Sequence, residues 1–185
     1  MRSSTGATAG LALLLALALP ARAGDTLHAQ VSAALMQPQA RSLEPLQRPT
    51  PPRLIALYVG ADWCGPCHAF VPTLRVVRDA LRAAGADTEV VYVSQDESEA
   101  ALRRYMHAQQ MPWPVLAPRR AARLRGLQAV VGLAPPNLVL IDADGQVLAN
   151  GWHGRRYDGL QPVLKTWWAQ ACAQPQAHCP PLPLP

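Results

Sequence analysis

The residues best suited to chemistry are Trp63-Cys64-Gly65-Pro66-Cys67-His68. Two cysteines spaced this way can join as a disulfide or separate as a dithiol. The stretch before them, Leu54-Ile55-Ala56-Leu57-Tyr58-Val59, is short, apolar and bounded by turn residues, as a buried strand is. After them, Phe70, Leu74, Val77 and Leu81 recur at intervals of four, three and four, so they share one face of a helix starting near Gly65. The cysteines therefore stand at a strand-to-helix junction. Free N–H groups and the dipole at a helix N-terminus favour negative charge, which lowers a thiol pKa and makes Cys64 the exposed nucleophile. Cys67 lies one turn on, on the same face, within reach of a disulfide. Pro66 suits a first helical turn, where no N–H is needed. Trp63 is expected to pack beside the sulfur and partly shield it.

Three chemistries fit the motif. A redox dithiol is favoured, because C-x-x-C at the end of a strand is its expected setting. Covalent haem also fits, since Cys64 to His68 reads C-x-x-C-H. Haem attachment needs no such junction, however, and a proline inside the motif suits a helix start better. Structural zinc or a plain structural disulfide is the third. Zinc wants a second close ligand pair, and Cys172 and Cys179 are spaced too widely for one. In an oxidising compartment that second pair reads as a structural disulfide tying down the tail. The sharper alternative is an auxiliary pair exchanging with Cys64.

The compartment is read from the first 23 residues. Arg2 precedes a Leu/Ala run from Leu11 to Leu19, and Ala21-Arg22-Ala23 is a small-residue cleavage site, so residues 1–23 read as a secretory signal peptide. The run is too short to span a bilayer. Its Ala/Leu-rich form suggests a bacterium, hence the periplasm. About 162 residues then remain, enough for one domain with a real core. The chain has 17 basic and 12 acidic side chains. Losing Arg2 and Arg22 leaves a weak, dispersed excess that does not argue for nucleic acid.

The elements that must hold the motif follow in order. Residues 24–52 read as a short amphipathic helix through Leu27, Val31, Ala34 and Leu35, then a linker with five prolines. Residues 53–171 form the main domain. Gly85 closes the first helix, and 89–94 is a strand parallel to the first, by the right-handed βαβ rule. Residues 96–109 and the Arg-rich 119–130 read as helices. The arginines are read as a solvated face, or else as a docking site for an acidic partner. Residues 137–142 and 147–152 form a hairpin about Asp144-Gly145. Residues 158–171 form the last helix, with Asp158 as N-cap. Residues 172–185 are a Cys/Pro-rich tail.

This order, together with Trp63 to Cys67 at the end of the first core strand, resembles the thioredoxin fold. The fold class expected is α/β, with a mixed sheet of about four strands flanked by helices and an N-terminal extension. Tyr58-Val59-Gly60-Ala61-Asp62-Trp63-Cys64, Phe70-Val71-Pro72, Val93-Ser94-Gln95-Asp96-Glu97 and Met111-Pro112-Trp113 are most similar to the tryparedoxin/nucleoredoxin branch, with exported TlpA-like proteins nearby. The resemblance spans about residues 53–170. It implies an exported protein-disulfide oxidoreductase with no cofactor, reducing disulfides in other exported proteins and recharged by a membrane thiol-disulfide reductant. A monomer is expected. It also implies that Pro136 is the cis-proline facing the dithiol, where the preceding residue binds extended substrates, although Pro135 has no N–H to offer. Gly65-Pro66 resembles reducing members.

Departures matter as well. Tyr58 stands where thioredoxin proper carries a buried acid. His68 either tunes the thiolate as an imidazolium or is a plain surface residue. Tryparedoxins carry proline at the Gly65 position, so their reductant specificity does not carry over. The competing class is a thioredoxin-fold chaperone that holds metal or haem without turnover.

Overall fold

β3 (Leu54–Gly60) and β4 (Thr88–Ser94) are buried along their whole length. That is why each carries an unbroken apolar stretch, 54–59 in β3 and 90–93 in β4: a parallel pair covered on both faces leaves few positions for polar side chains. The computed structural model describes residues 26–39 and 42–184, so the proposed leader lies outside the described residues. The helix between the two strands is α2 (Gly65–Ala83), which carries Pro72 inside it. The remaining elements are α1 (Leu27–Ala34), β1 (Met36–Pro38), β2 (Leu43–Pro45), α3 (Glu99–Ala108), β5 (Val115–Leu116), α4 (Pro118–Ala121), α5 (Leu127–Val130), β6 (Asn137–Asp142), β7 (Val147–Asn150), β8 (Trp152–His153), β9 (Arg156–Tyr157) and α6 (Gln161–Cys172).

The main sheet runs β2-β1-β5-β4-β3-β6-β7. β3 is parallel to β4 and antiparallel to β6, with Val59 opposite Val93 and Asn137. Alternate strand residues feed two cores, as a period of two requires. Ala56, Tyr58, Val90, Tyr92, Leu138 and Leu140 pack with α2, α3 and α6. Ile55, Leu57, Val59, Val91, Val139 and Ile141 pack with α1, α4 and α5.

Several elements differ from the sequence expectation. The sheet has seven strands, not about four. β1 and β2 come from the stretch expected to be a proline-rich linker, and β5 has two residues. These strands are too short to leave a periodic signal, and they exist because β1 pairs with β5 at Met36 and Val115. On α2, Leu74, Val77 and Leu81 are fully buried as expected, but Val71 joins them in place of Phe70, which is only half-buried. The 119–130 stretch is two short helices separated at Gly126, which has φ 81°. Asp158 does not cap α6, which starts at Gln161; its carboxylate is bonded to Arg156 at 2.7 and 3.0 Å. No helix among the described residues is long and apolar enough to cross a membrane.

Cys172 and Cys179 are joined. The tail they fasten packs on the far end of α2: His178 N–H donates to the Ala84 carbonyl (2.8 Å), and Gln174 Oε1 accepts from Asp87 N–H (2.6 Å). Cys64 caps the opposite end of this 19-residue helix, about 28 Å away at 1.5 Å per residue. Exchange between the two pairs within one chain is out of reach. Replacing both Cys172 and Cys179 with alanine is expected to cost about 2.5 kcal/mol of stability by loop entropy. It should leave dithiol turnover at Cys64 unchanged. Loss of turnover in the folded variant would contradict this separation.

Candidate functional site: a dithiol at a helix N-terminus

Parallel β3 and β4 end together, and the turn after β3 delivers Cys64 as the N-cap of α2. Cys64 Sγ accepts the Cys67 N–H at 3.3 Å, and the Cys64 carbonyl accepts the same N–H at 3.0 Å. The two sulfurs are bonded. A sulfur in this place faces the positive end of α2 and a donated N–H, so the geometry favours the thiolate once the bond opens. In the disulfide form Cys64 is 4% exposed and Cys67 is fully buried. The order of access is the expected one, but Cys64 is far less open than an exposed nucleophile. Trp63 does not cover it: its side chain sits in the surface turn and is 65% exposed. Gly65 and Pro66 form the exposed first turn of α2, and a Cβ at Gly65 would meet nothing within 4 Å.

His68 is tied into the site on both sides of its ring rather than left as a plain surface residue. Its Nδ1 lies 3.0 Å from Gln109 Nε2, and its Nε2 lies 2.6 Å from the Asp62 carbonyl oxygen. Gln109 therefore donates to Nδ1, and Nε2–H donates to Asp62. Both ring nitrogens are used, and the side chain pins the turn before Cys64 to the end of α3.

Asp96 holds the same turn from the other side. Its Oδ1 accepts Asp62 N–H at 2.9 Å, and its Oδ2 accepts the hydroxyls of Tyr92 (3.0 Å) and Ser94 (2.9 Å). Sequence reading placed Asp96 at a helix start; these bonds draw it inward, and α3 begins at Glu99. The available signal was an acid just past β4, beside the end of β3.

Tyr58, at the position of the missing acid, donates to the Cys67 carbonyl at 3.3 Å and meets the Tyr105 hydroxyl at 3.0 Å. Burial pushes the Tyr58 and Tyr92 phenols far above 10 and pushes Tyr105 up to about 12. None of the three is an anion near neutral pH, so the layer under the dithiol is polar but uncharged apart from Asp96. Their folded pKa values lie above the unfolded one. The stability they contribute is complete below about pH 10, and the share from Tyr105 is lost as pH rises through about 12. A spectrophotometric titration is expected to show one phenolate first, that of exposed Tyr157, and the other three only with unfolding. Four phenolates in a folded chain would contradict this packing.

The peptide bond between Pro135 and Pro136 is cis. Because Val59 pairs with Asn137, this loop leaves the sheet at the same end as the Cys64 turn.

Residues 52–147 match the family model described as Thioredoxin-like. The chain is 31% identical to nucleoredoxin of Mus musculus over 97 residues, covering 51% of this chain and 21% of that protein. It is 38% identical to probable nucleoredoxin 1 of Arabidopsis thaliana over 97 residues, covering 51% and 16%. The chain thus spans roughly a fifth of the length of the curated relatives it matches. Among solved structures, native tryparedoxin I from Crithidia fasciculata shares the fold with a TM-score of 0.54 at 23% identity, covering 69% of this chain and 85% of that one. Tryparedoxin from Trypanosoma brucei has a TM-score of 0.50 at 25% identity, covering 65% and 81%.

Proposed function

Because the chain belongs to the thioredoxin-like family, within which Cys64 and Cys67 form its C-x-x-C disulfide, we propose that it is an exported oxidoreductase that reduces disulfides in other exported proteins. The observation that carries this reading is the Cys64 sulfur at the N-cap of α2, bonded to Cys67 and receiving its N–H at 3.3 Å. In the dithiol form, the Cys64 thiolate attacks one sulfur of a partner disulfide. The partner S–S bond breaks, a mixed disulfide forms on Cys64, and one partner thiolate leaves. Cys67 then loses its proton and attacks Cys64 Sγ, the mixed bond breaks, and the second partner thiolate leaves. The partner gains two electrons and, with solvent, two protons; the Cys64–Cys67 bond returns.

Because an exported chain sits outside the cell's reducing pool, a membrane thiol-disulfide reductant supplies the two electrons that recharge the pair. The leader-like residues 1–23 support export, and the periplasm is the compartment proposed. The reading is tested by following insulin reduction with dithiothreitol as donor. Catalysed precipitation of the B chain is expected, and a rate no higher than dithiothreitol alone would count against it. Fractionation of the source cells tests the address, with the processed chain expected in the periplasmic fraction.

A further inference from the structure

A cleft of about 320 Å³ lies between the N-terminal extension, the second half of α2 and the loop before β5. Pro38, Leu46, Met111 and Pro112 give it apolar walls, and Arg48 and Arg82 stand at its rim. Ligand clefts begin at roughly 300 Å³, so this one suits a small molecule. Pro38, Leu46 and Arg48 precede the stretch that matches the family model, residues 52–147, so these parts of the cleft are the chain's own addition to the fold. The cleft is also remote from the dithiol: Arg78, on its α2 side, stands about 21 Å from Cys64 along the helix at 1.5 Å per residue.

Three guanidinium groups share two carboxylates here. Arg78 is spent: its Nε and Nη2 hold Glu89 at 2.8 and 3.2 Å, and its Nη1 holds Asp79 at 2.9 Å. Arg48 Nη2 donates to Glu89 Oε2 at 3.1 Å, and Arg82 Nη1 comes only within 3.7 Å of the same oxygen. One positive charge is left over. Asp87 lines the adjoining cleft but pairs with neither Arg48 nor Arg82. Those two side chains are 33% and 52% exposed, and among the described residues no other acceptor is bonded to either fork. Trp113, which also lines the cleft, is 1% exposed, and its indole N–H has no partner among the described residues. Buried donors are nearly always paired. An unused donor beneath a surplus of positive charge favours a ligand that brings both an acceptor and a negative charge.

We propose that this cleft binds a small carboxylic acid as its monoanion. The forks of Arg48 and Arg82 hold the carboxylate, whose two oxygens match guanidinium geometry. The compact apolar body lies against Pro38, Leu46 and Met111, over Trp113. A single surplus charge matches a monoanion better than a phosphate dianion, and apolar walls give a bare inorganic anion nothing in place of its water. The site stands apart from the dithiol and does not depend on redox turnover.

The test is calorimetric titration of the chain with benzoate, with isotope-labelled tryptophan side chains followed by NMR. Saturable binding is expected, with the Trp113 indole N–H signal, assigned by sequential NMR, moving as the cleft fills. Benzyl alcohol has the body without the charge, and acetate the charge without the body. Each should bind at least about tenfold more weakly than benzoate. Arg82→Gln leaves the Arg78–Glu89 pair in place and should weaken benzoate about tenfold to a hundredfold, the yield of a charged hydrogen bond. Arg48→Gln should do the same. No saturable binding, a stationary Trp113 signal, either control binding as tightly as benzoate, or full affinity in Arg82→Gln each overturns the proposal. Cys64→Ser should bind benzoate as the unaltered chain does, so a failure of the dithiol reading leaves this result standing.

Discussion

Cys64→Ser is expected to abolish turnover of disulfide substrates, with insulin reduction falling to the uncatalysed rate. A serine hydroxyl is not ionised near neutral pH, so the N–H and dipole at the start of α2 have no thiolate to favour. Cys67→Ser should fail differently. The first bond exchange needs only Cys64, so a mixed disulfide still forms, but no second sulfur lies within reach to release it. Partners should accumulate on Cys64, up to one per chain, and be seen by non-reducing electrophoresis and intact-mass measurement. A Cys64→Ser chain that still reduces insulin contradicts the mechanism.

The second large effect is on stability. Glu89 is 2% exposed in the middle of the fold. Arg78 grips it with Nε (2.8 Å) and Nη2 (3.2 Å), Arg48 adds a contact at 3.1 Å, and Val90 N–H donates to Oε1 at 3.0 Å. Arg48 belongs to the stretch after β2, so this carboxylate also fastens the N-terminal segment to the sheet. Glu89→Ala would leave the Arg78 guanidinium buried with only Asp79 as counter-charge, 2.9 Å away. Removing one partner of a buried pair costs roughly 3–5 kcal/mol, read as a lower urea midpoint. Replacing both partners with apolar residues, Arg78→Met with Glu89→Leu, should recover most of it, because no charge is then stranded. A loss below about 1 kcal/mol in Glu89→Ala would mean that the pair is hydrated and does not anchor the segment.

What could be read from the sequence followed from signal length. β3, β4 and β6 carry unbroken apolar stretches of six, four and four residues, and α2 carries five turns of periodic burial, so their order and the dithiol junction were legible. The two- and three-residue strands were not, since Met36-Gln37-Pro38 and Leu43-Glu44-Pro45 have no strand pattern of their own and are strands only by pairing. The supports of the site were hidden for a similar reason. Asp96, Gln109 and Tyr105 reach the Cys64 turn from distant positions, and no local pattern assigns a polar side chain a partner across the fold. Trp152 and Tyr157 read as the end of a strand and a loop. Only the turn at Gly154, with φ 60°, folds them back over the proline loop.

The most direct measurement is the equilibrium reduction potential of Cys64–Cys67 against defined dithiothreitol and glutathione buffers. The account predicts a reversible two-electron couple near about −270 mV, as in thioredoxin. A potential near about −120 mV would make the chain a disulfide donor, and the absence of any reversible couple would contradict the redox function itself.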